Sequence, residues 1–238
     1  MWSGPRNLST TMMRSFGGRA DTVCSDEPFY GAYLKATGLD HPMADEIVRH
    51  HATDAAQICA DLVGTAPAST GGKAPLYWYQ KHMCHHMLTG FPTSFMDNAI
   101  HIFLIRDPAR VIASWVKKHP RVTLDDIGIV QQKALYDFVS QRYGAPPVID
   151  TDLLLEDPES HLKALCKTID IPWDAGMLHW QPGRQPEDGV WGNVWYDAVW
   201  QSEGFGKPSS APSPLPDAYC DIAKAAKPTY EAMRQTLV

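Results

Sequence analysis

The sequence predicts an α/β fold in which a parallel sheet lies between two layers of helices, three layers in all. Two segments carry that prediction. Ser3-Gly4-Pro5-Arg6-Asn7-Leu8-Ser9-Thr10-Thr11 and Ile102-Phe103-Leu104-Ile105-Arg106-Asp107-Pro108, running on to Ser114, each read as an apolar strand, a turn with a cation, and a helix start. The third observation is that short apolar runs alternate with helical periodicity as far as Pro172. Two strand–turn–helix units with a cation in each turn imply a ligand with two phosphate-like groups.

Taken in order, Ser9 or a neighbour opens the first helix, Met12, Met13 and Phe16 give it one apolar face, and Gly17-Gly18 stop it. Residues 19–52, with Pro28 and Pro42, read as an irregular excursion on the substrate side. An amphipathic segment near 53–63 and a loop of small residues from Thr65 to Pro75 follow. Leu76-Tyr77-Trp78-Tyr79 reads as a buried strand, and Ile100 to Ile105 as a better one, with Asp107 as N-cap and Pro108 at the first helical position. A longer helix is expected over about 124–143, with Leu124, Ile127, Val130, Leu135 and Phe138 on one side. Pro147-Val148-Ile149 leads into Asp152-Leu153-Leu154-Leu155-Glu156-Asp157-Pro158, where Asp157 caps a helix with Leu162, Leu165, Cys166 and Ile169 on its apolar face. Five of the eight tryptophans lie between Trp173 and Trp200, followed by a Pro/Ser-rich stretch at 208–216 and a last helix near 216–236, disturbed at Pro228. No internal repeat is present, and a single domain over residues 1–238 is expected.

A length of 238 residues suits one domain with a substantial core. The net charge of −6 argues against a broad nucleic-acid or anionic-membrane surface, while leaving room for a local basic pocket. No apolar run approaches the roughly 20 residues that cross a bilayer. Gly, Pro and Arg arrive by position 6, so no secretory signal is read. Cys24, Cys59, Cys84, Cys166 and Cys220 are odd in number and scattered, which fits reduced thiols in a cytoplasmic protein.

The first loop offers Arg6 and three consecutive hydroxyls, Ser9, Thr10 and Thr11, at a helix N-terminus, where unpaired N–H groups favour phosphate. It departs from the nucleoside-triphosphatase loop G-x-x-x-x-G-K-[ST], because Ser9 and Thr10 stand where glycine and lysine belong. An ordinary loop and helix cap is the plain alternative. Arg106 falls at the carboxyl end of its strand, where open α/β sheets bind ligands, and Ser114 lies two turns into the next helix. A purely structural role would pair Arg106 with Asp107 or Glu156.

These segments resemble the sulfotransferases that use 3′-phosphoadenosine-5′-phosphosulfate. In that family a Pro-Lys/Arg-Ser-Gly-Thr/Ser-Thr loop holds the 5′-phosphosulfate, and an Arg followed eight residues later by Ser holds the 3′-phosphate. Pro5-Arg6-Asn7-Leu8-Ser9-Thr10 and Arg106 with Ser114 match in order and spacing. Asp152 to Glu159 is similar to the family's acidic Asp-Leu-x-x-Asp-Pro segment, and Gly183-Arg184 through Trp191 to its basic glycine-containing loop that also reaches the 3′-phosphate. The resemblance therefore implies a P-loop-like sulfotransferase fold. It implies Arg6, Asn7, Leu8, Ser9, Thr10, Thr11, Arg106, Ser114 and Arg184 as the nucleotide site. Two departures stand out. Arg6 replaces a common lysine and Leu8 a glycine, which would narrow the loop; and only Met1 and Trp2 precede the loop where the family has a central strand, so this is either a stub or a lost segment.

Gln80-Lys81-His82-Met83-Cys84-His85-His86 follows the aromatic strand. Transfer to a hydroxyl or amine needs a proton acceptor, for which His82 is the first candidate and His85 the second. Lys81 and Arg6 would offset charge on the transferring group or the leaving phosphate. A zinc site of His82, Cys84 and His86 is the rival reading, and packing is expected for His86. The expected function is sulfuryl transfer to an unidentified small-molecule acceptor without a metal, releasing adenosine 3′,5′-bisphosphate. The alternatives are a P-loop nucleotide kinase with Asp107 or Asp150 holding Mg²⁺, and a non-catalytic nucleotide-binding protein. Residues 19–52 and 173–200 are expected to line the acceptor pocket, with most of their aromatics in packing.

Overall fold

The computed structural model describes residues 1–68, 74–119, 121–207 and 215–237. Among these, the strands are β1 (Trp2–Ser3), β2 (Thr22–Asp26), β3 (Tyr77–Met83), β4 (Phe103–Ile105) and β5 (Val148–Asp150). The helices of the first half are α1 (Ser9–Gly17), α2 (Tyr30–Thr37), α3 (Ala44–His50), α4 (Ala55–Val63) and α5 (Pro108–Trp115). Those of the second half are α6 (Ile129–Tyr143), α7 (Thr151–Glu156), α8 (Pro158–Thr168), α9 (Gly192–Trp195), α10 (Asp197–Trp200) and α11 (Asp217–Arg234). The expected loop at 65–75 is described except for 69–73, and most of the Pro/Ser-rich stretch, 208–214, lies outside the described residues.

The chain divides into two compact units interleaved in sequence. The first holds Met1, residues 10–100 and residues 174–205. Its strands β2 and β3 pair in parallel, from Thr22 opposite Tyr77 to Asp26 opposite Lys81. The sequence predicts an irregular segment over 19–52, whereas β2, α2 and α3 all lie there. None is longer than eight residues, and elements so short take their stability from packing rather than from propensity. The aromatic strand also runs further than expected, through Met83, so Lys81 and His82 are strand residues, both buried. Alternate residues of a strand face opposite ways, so burial of both means each face of β3 is covered. Gly18 follows α1 where its backbone meets Gly176: a Cβ there would lie 2.3 Å from the Gly176 oxygen.

The second unit holds residues 2–9, 101–173 and 206–238. Here β1, β4 and β5 form a parallel sheet with β4 in the middle, registered Trp2↔Phe103, Ser3↔Leu104 and Phe103↔Val148. The strand position before the first loop is thus filled by two residues, with the Trp2 ring buried and its Nε1 donating to His101 Nδ1 at 3.1 Å. Asp107 caps α5 through the Ala109 N–H, and Asp157 caps α8 through the Ser160 N–H, as the sequence indicates. Helix α6 starts later than expected, because Asp126 closes a turn on Thr123 and Gly128 takes a left-handed conformation (φ 67°) before Ile129. Its buried face is also another one: Ile129, Gln132, Tyr136 and Val139 are buried, while Val130 and Phe138 are exposed. The amide of Gln132 donates to the Leu104 carbonyl at 2.5 Å, so a polar residue sets the phase that an apolar stripe was expected to set. Helix α11 continues through Pro228 and ties down β5, with the Tyr230 hydroxyl donating to Asp150 at 2.6 Å.

Candidate active site

In the second unit the first loop turns sharply between β1 and α1. Arg6 (φ 63°) and Leu8 (φ 60°) both adopt the left-handed conformation that glycine enters freely. Leu8 therefore keeps a glycine-type backbone where the sequence pattern lacks the glycine. A left-handed L-residue costs about 1–2 kcal/mol, while a glycine loses about 0.4–1 kcal/mol through its freer unfolded chain. Leu8→Gly is accordingly expected to leave the thermal midpoint unchanged or slightly raised. A fall of several degrees in a melting scan would mean that the half-buried leucine side chain holds the loop.

Three of the residues singled out from sequence come together in this unit. Arg6 Nε donates to Ser114 Oγ at 2.9 Å, and Arg106 Nη1 donates to the Arg6 carbonyl at 3.1 Å. Burial, and then the charge of Arg106, lower the Arg6 pKa. Arg106 pairs with Asp152 (3.3 Å) rather than with Asp107 or Glu156, and Arg110 shares the same carboxylate at 3.5 Å. Asp152 is thus one carboxylate serving two guanidinium groups, and positive charge accumulates beside a loop of backbone N–H groups. Asn7 is buried, its Nδ2 donating to the Leu104 carbonyl at 3.1 Å. The carboxylates considered for a kinase metal are otherwise engaged: Asp107 caps α5 and pairs with Lys227 at 3.0 Å, and Asp150 holds Tyr230 and Arg234.

The first unit carries α1 from Thr10 onward and a second, buried cluster at the carboxyl ends of β2 and β3. Lys81, 1% exposed, donates to Asp26 (2.7 Å), Glu27 (2.7 Å) and the Tyr196 hydroxyl (2.6 Å). Those bonds use all three of its N–H groups. Burial alone would lower the Lys81 pKa, but Asp26 and Glu27 outweigh it and hold it above the usual value. Tyr196 donates to Asp26 at 2.7 Å and receives the Trp191 indole N–H at 2.9 Å.

Glu27 is the residue that the sequence reading missed. It sits just past β2 with φ 45° and is 9% exposed. Burial raises its pKa, Lys81 opposes that rise, and Asp26 adds to it. Its Oε1 is bound by Lys81, while Oε2 has His86 Nδ1 at 3.9 Å, beyond hydrogen-bonding length. Burial holds His86 well below the usual histidine range, so this neighbour is neutral. The sequence shows only Asp26-Glu27-Pro28, two acids before a proline, which looks like any solvated loop.

Of the histidines, His82 is 3% exposed, packs against Phe29 and Phe95 and meets Gln80 Oε1 at 3.3 Å. His85 is half-buried, edge-on to Tyr33. His86 stacks on Tyr30 and Tyr33, the packing role expected of it. Among the described residues, no group of three or more His, Cys, Asp or Glu is arranged to hold a metal ion. Arg184 lies in this first unit, exposed, on the loop that follows Gly183.

Comparison with known proteins bears on both units. A profile of the family described as sulfotransferase domain matches residues 1–236. Among solved structures, the sulfotransferase domain from the curacin biosynthetic pathway superposes with a TM-score of 0.53 at 14% identity, covering 95% of each chain. The sulfotransferase domain from the Synechococcus PCC 7002 olefin synthase gives 0.51 at 13% identity, over 94% of this chain and 92% of its own. At that identity the likeness speaks for the fold: an α/β architecture of parallel strands flanked by helices. Two Arabidopsis thaliana proteins, branched-chain-amino-acid aminotransferase-like proteins 1 and 2, are 37% and 36% identical over 233 residues. The match covers 98% of this chain but 41% and 40% of theirs, so the chain spans about two-fifths of the length of these relatives.

Proposed function

From a chain that belongs to the sulfotransferase domain family, we propose an enzyme that transfers a sulfuryl group from 3′-phosphoadenosine-5′-phosphosulfate to a hydroxyl or amine of a small-molecule acceptor. The observation that carries the nucleotide reading is the meeting of Arg6, Ser114 and Arg106 at a left-handed loop, a donor set whose charge and N–H groups fit phosphate. When bound, the donor supplies the sulfuryl group and a phosphate leaving group. No metal is part of the proposal.

Arg6 and the loop from Asn7 to Thr11 would hold the 5′ end, and Arg106 and Ser114 the 3′-phosphate. The family pattern adds Arg184 to the nucleotide-binding residues. Glu27 takes the acceptor's proton: it is a buried carboxylate of raised pKa with one oxygen held by Lys81 and the other open to a donor. His82 and His85 remain the alternatives for that step. Lys81 acts through Glu27 and Tyr196, since its three N–H groups are already taken. The names of the Arabidopsis relatives speak of aminotransferases, whereas the family profile that matches residues 1–236 is that of a sulfotransferase domain. None of the five cysteines is in a disulfide, which supports a reducing, cytoplasmic setting. Among the described residues no helix is long and apolar enough to cross a membrane.

The test is thermal unfolding of the full chain with adenosine 3′,5′-bisphosphate and, separately, with ATP and Mg²⁺. A raised midpoint with the bisphosphate alone is expected, and Arg106→Ala should weaken its affinity at least about tenfold, the scale of one lost charged hydrogen bond. Protection by ATP with Mg²⁺ and none by the bisphosphate would make the protein a kinase instead. Bisphosphate binding with no transfer to any of a panel of phenols, alcohols and amines would make it a binding protein.

A further inference from the structure

Buried in the first unit is an arginine that none of these roles uses. Arg14 lies on α1, 2% exposed. Its Nη1 meets Glu187 Oε1 at 3.1 Å and its Nη2 meets both oxygens of Asp188, at 2.7 and 2.5 Å. Asp188, whose side chain is fully buried, also accepts the Gln185 backbone N–H and the Trp200 indole N–H, each at 2.9 Å. Its own N–H returns to the Gln185 carbonyl at 3.1 Å, closing 185–188 into a turn. One residue before that turn stands Arg184, exposed, with its Nη2 on the Asp188 carbonyl at 3.5 Å. The loop begins at Gly183 in a left-handed conformation (φ 93°), with its N–H on the Trp200 carbonyl at 2.6 Å.

A surface turn needs no buried cation to close it, and burying one is costly unless the charge is well matched. Here one guanidinium spans two carboxylates, Nη1 on Glu187 and Nη2 on both oxygens of Asp188, which fixes direction as well as distance. This pairing runs from the helix that opens at the phosphate loop to the turn that presents Arg184. We infer that Arg14 is a positioning residue for nucleotide binding: through Asp188 it holds the Arg184 loop in the shape that meets a phosphate. This rests on the nucleotide reading above. Lysine would keep the charge at position 14 but lose the fork.

Calorimetry of adenosine 3′,5′-bisphosphate binding to the full chain decides the matter, with wild type, Arg184→Ala, Arg14→Met, the double variant and Arg14→Lys. Each single loss is expected to weaken binding about tenfold. Because both act on one contact, the double variant should be no weaker than the worse single one. Arg14→Lys should fall near Arg14→Met, despite its charge, and it serves for the cycle if the methionine variant does not fold. Combining Arg14→Lys with Arg106→Ala should instead multiply their separate losses. Multiplied losses in the Arg14/Arg184 pair, or Arg14 variants that bind as wild type does, would overturn the inference and leave the nucleotide reading standing. A wild-type chain that takes up no bisphosphate would overturn both.

Discussion

Lys81→Met is expected to remove about 3–5 kcal/mol of stability near neutral pH, because it strands two buried carboxylates with no cation. With total stabilities of about 5–15 kcal/mol for domains, that is about a fifth or more of the whole. Methionine fills nearly the same volume, so a cavity contributes little and the loss reports charge. The pH dependence makes the cause visible. Without Lys81, burial and then Asp26 raise the Glu27 pKa, opposed only by the smaller effect of the Tyr196 hydrogen bond. A carboxylate whose folded pKa lies above its unfolded value binds the extra proton in the folded state, so stability falls as pH rises through that range and returns as pH falls. Urea melts of the variant should therefore approach those of wild type as the pH drops from about 8 toward the unfolded carboxylate range near 4. Adding Glu27→Gln to Lys81→Met should recover part of the loss at pH 8. A variant within 1 kcal/mol of wild type at pH 8 would mean that water reaches the cluster and that these ion pairs contribute little.

The same cluster shows where a sequence is informative and where it is silent. β4, Arg106, the Asp107 cap and Pro108 are legible because each is a local rule: an apolar run, a cap, a proline at the first helical position. The left-handed backbone at Leu8 is not legible, since leucine carries no sign of φ and only the departure from glycine hints at it. Helix α6 starts later and buries another face than the apolar pattern predicts, because Gln132 owes its burial to a carbonyl 28 residues away, a tertiary fact. Arg106 found Asp152, 46 residues on, rather than its sequence neighbour Asp107, for a related reason: Asp107 is spent on its own helix and on Lys227. Glu27, Lys81 and Tyr196 are scattered across 170 positions and meet only through the pairing of β2 with β3 and the return of the chain after residue 174. Histidine drew the search for a base because its titration range is known in advance. A carboxylate's suitability is conferred by burial, which no local pattern encodes.

Glu27→Gln separates these candidates by activity. The amide keeps the shape of the carboxyl and can still accept from Lys81, so folding should survive, but it cannot take a proton. Loss of a general base costs about 10²–10⁴ in rate, and kcat is expected to fall within that range while the bisphosphate binds as before. In the wild type, Glu27 must be ionised to act, and its pKa is raised first by burial. The acid limb of kcat against pH should accordingly lie above the ordinary glutamate value of about 4.3 and disappear in Glu27→Gln. His82→Asn or His85→Asn would change packing beside Phe95 or Tyr33 and should move kcat by less than about tenfold, with the acid limb retained. If His82→Asn or His85→Asn instead abolishes the limb and Glu27→Gln keeps it, the proton goes to that imidazole, and the buried carboxylate of Glu27 serves only to anchor Lys81. Position matters as much as acidity: the Tyr196 hydroxyl is joined to Lys81, and both are joined to Glu27, so charge developing beside that hydroxyl is felt at the carboxylate through hydrogen bonds.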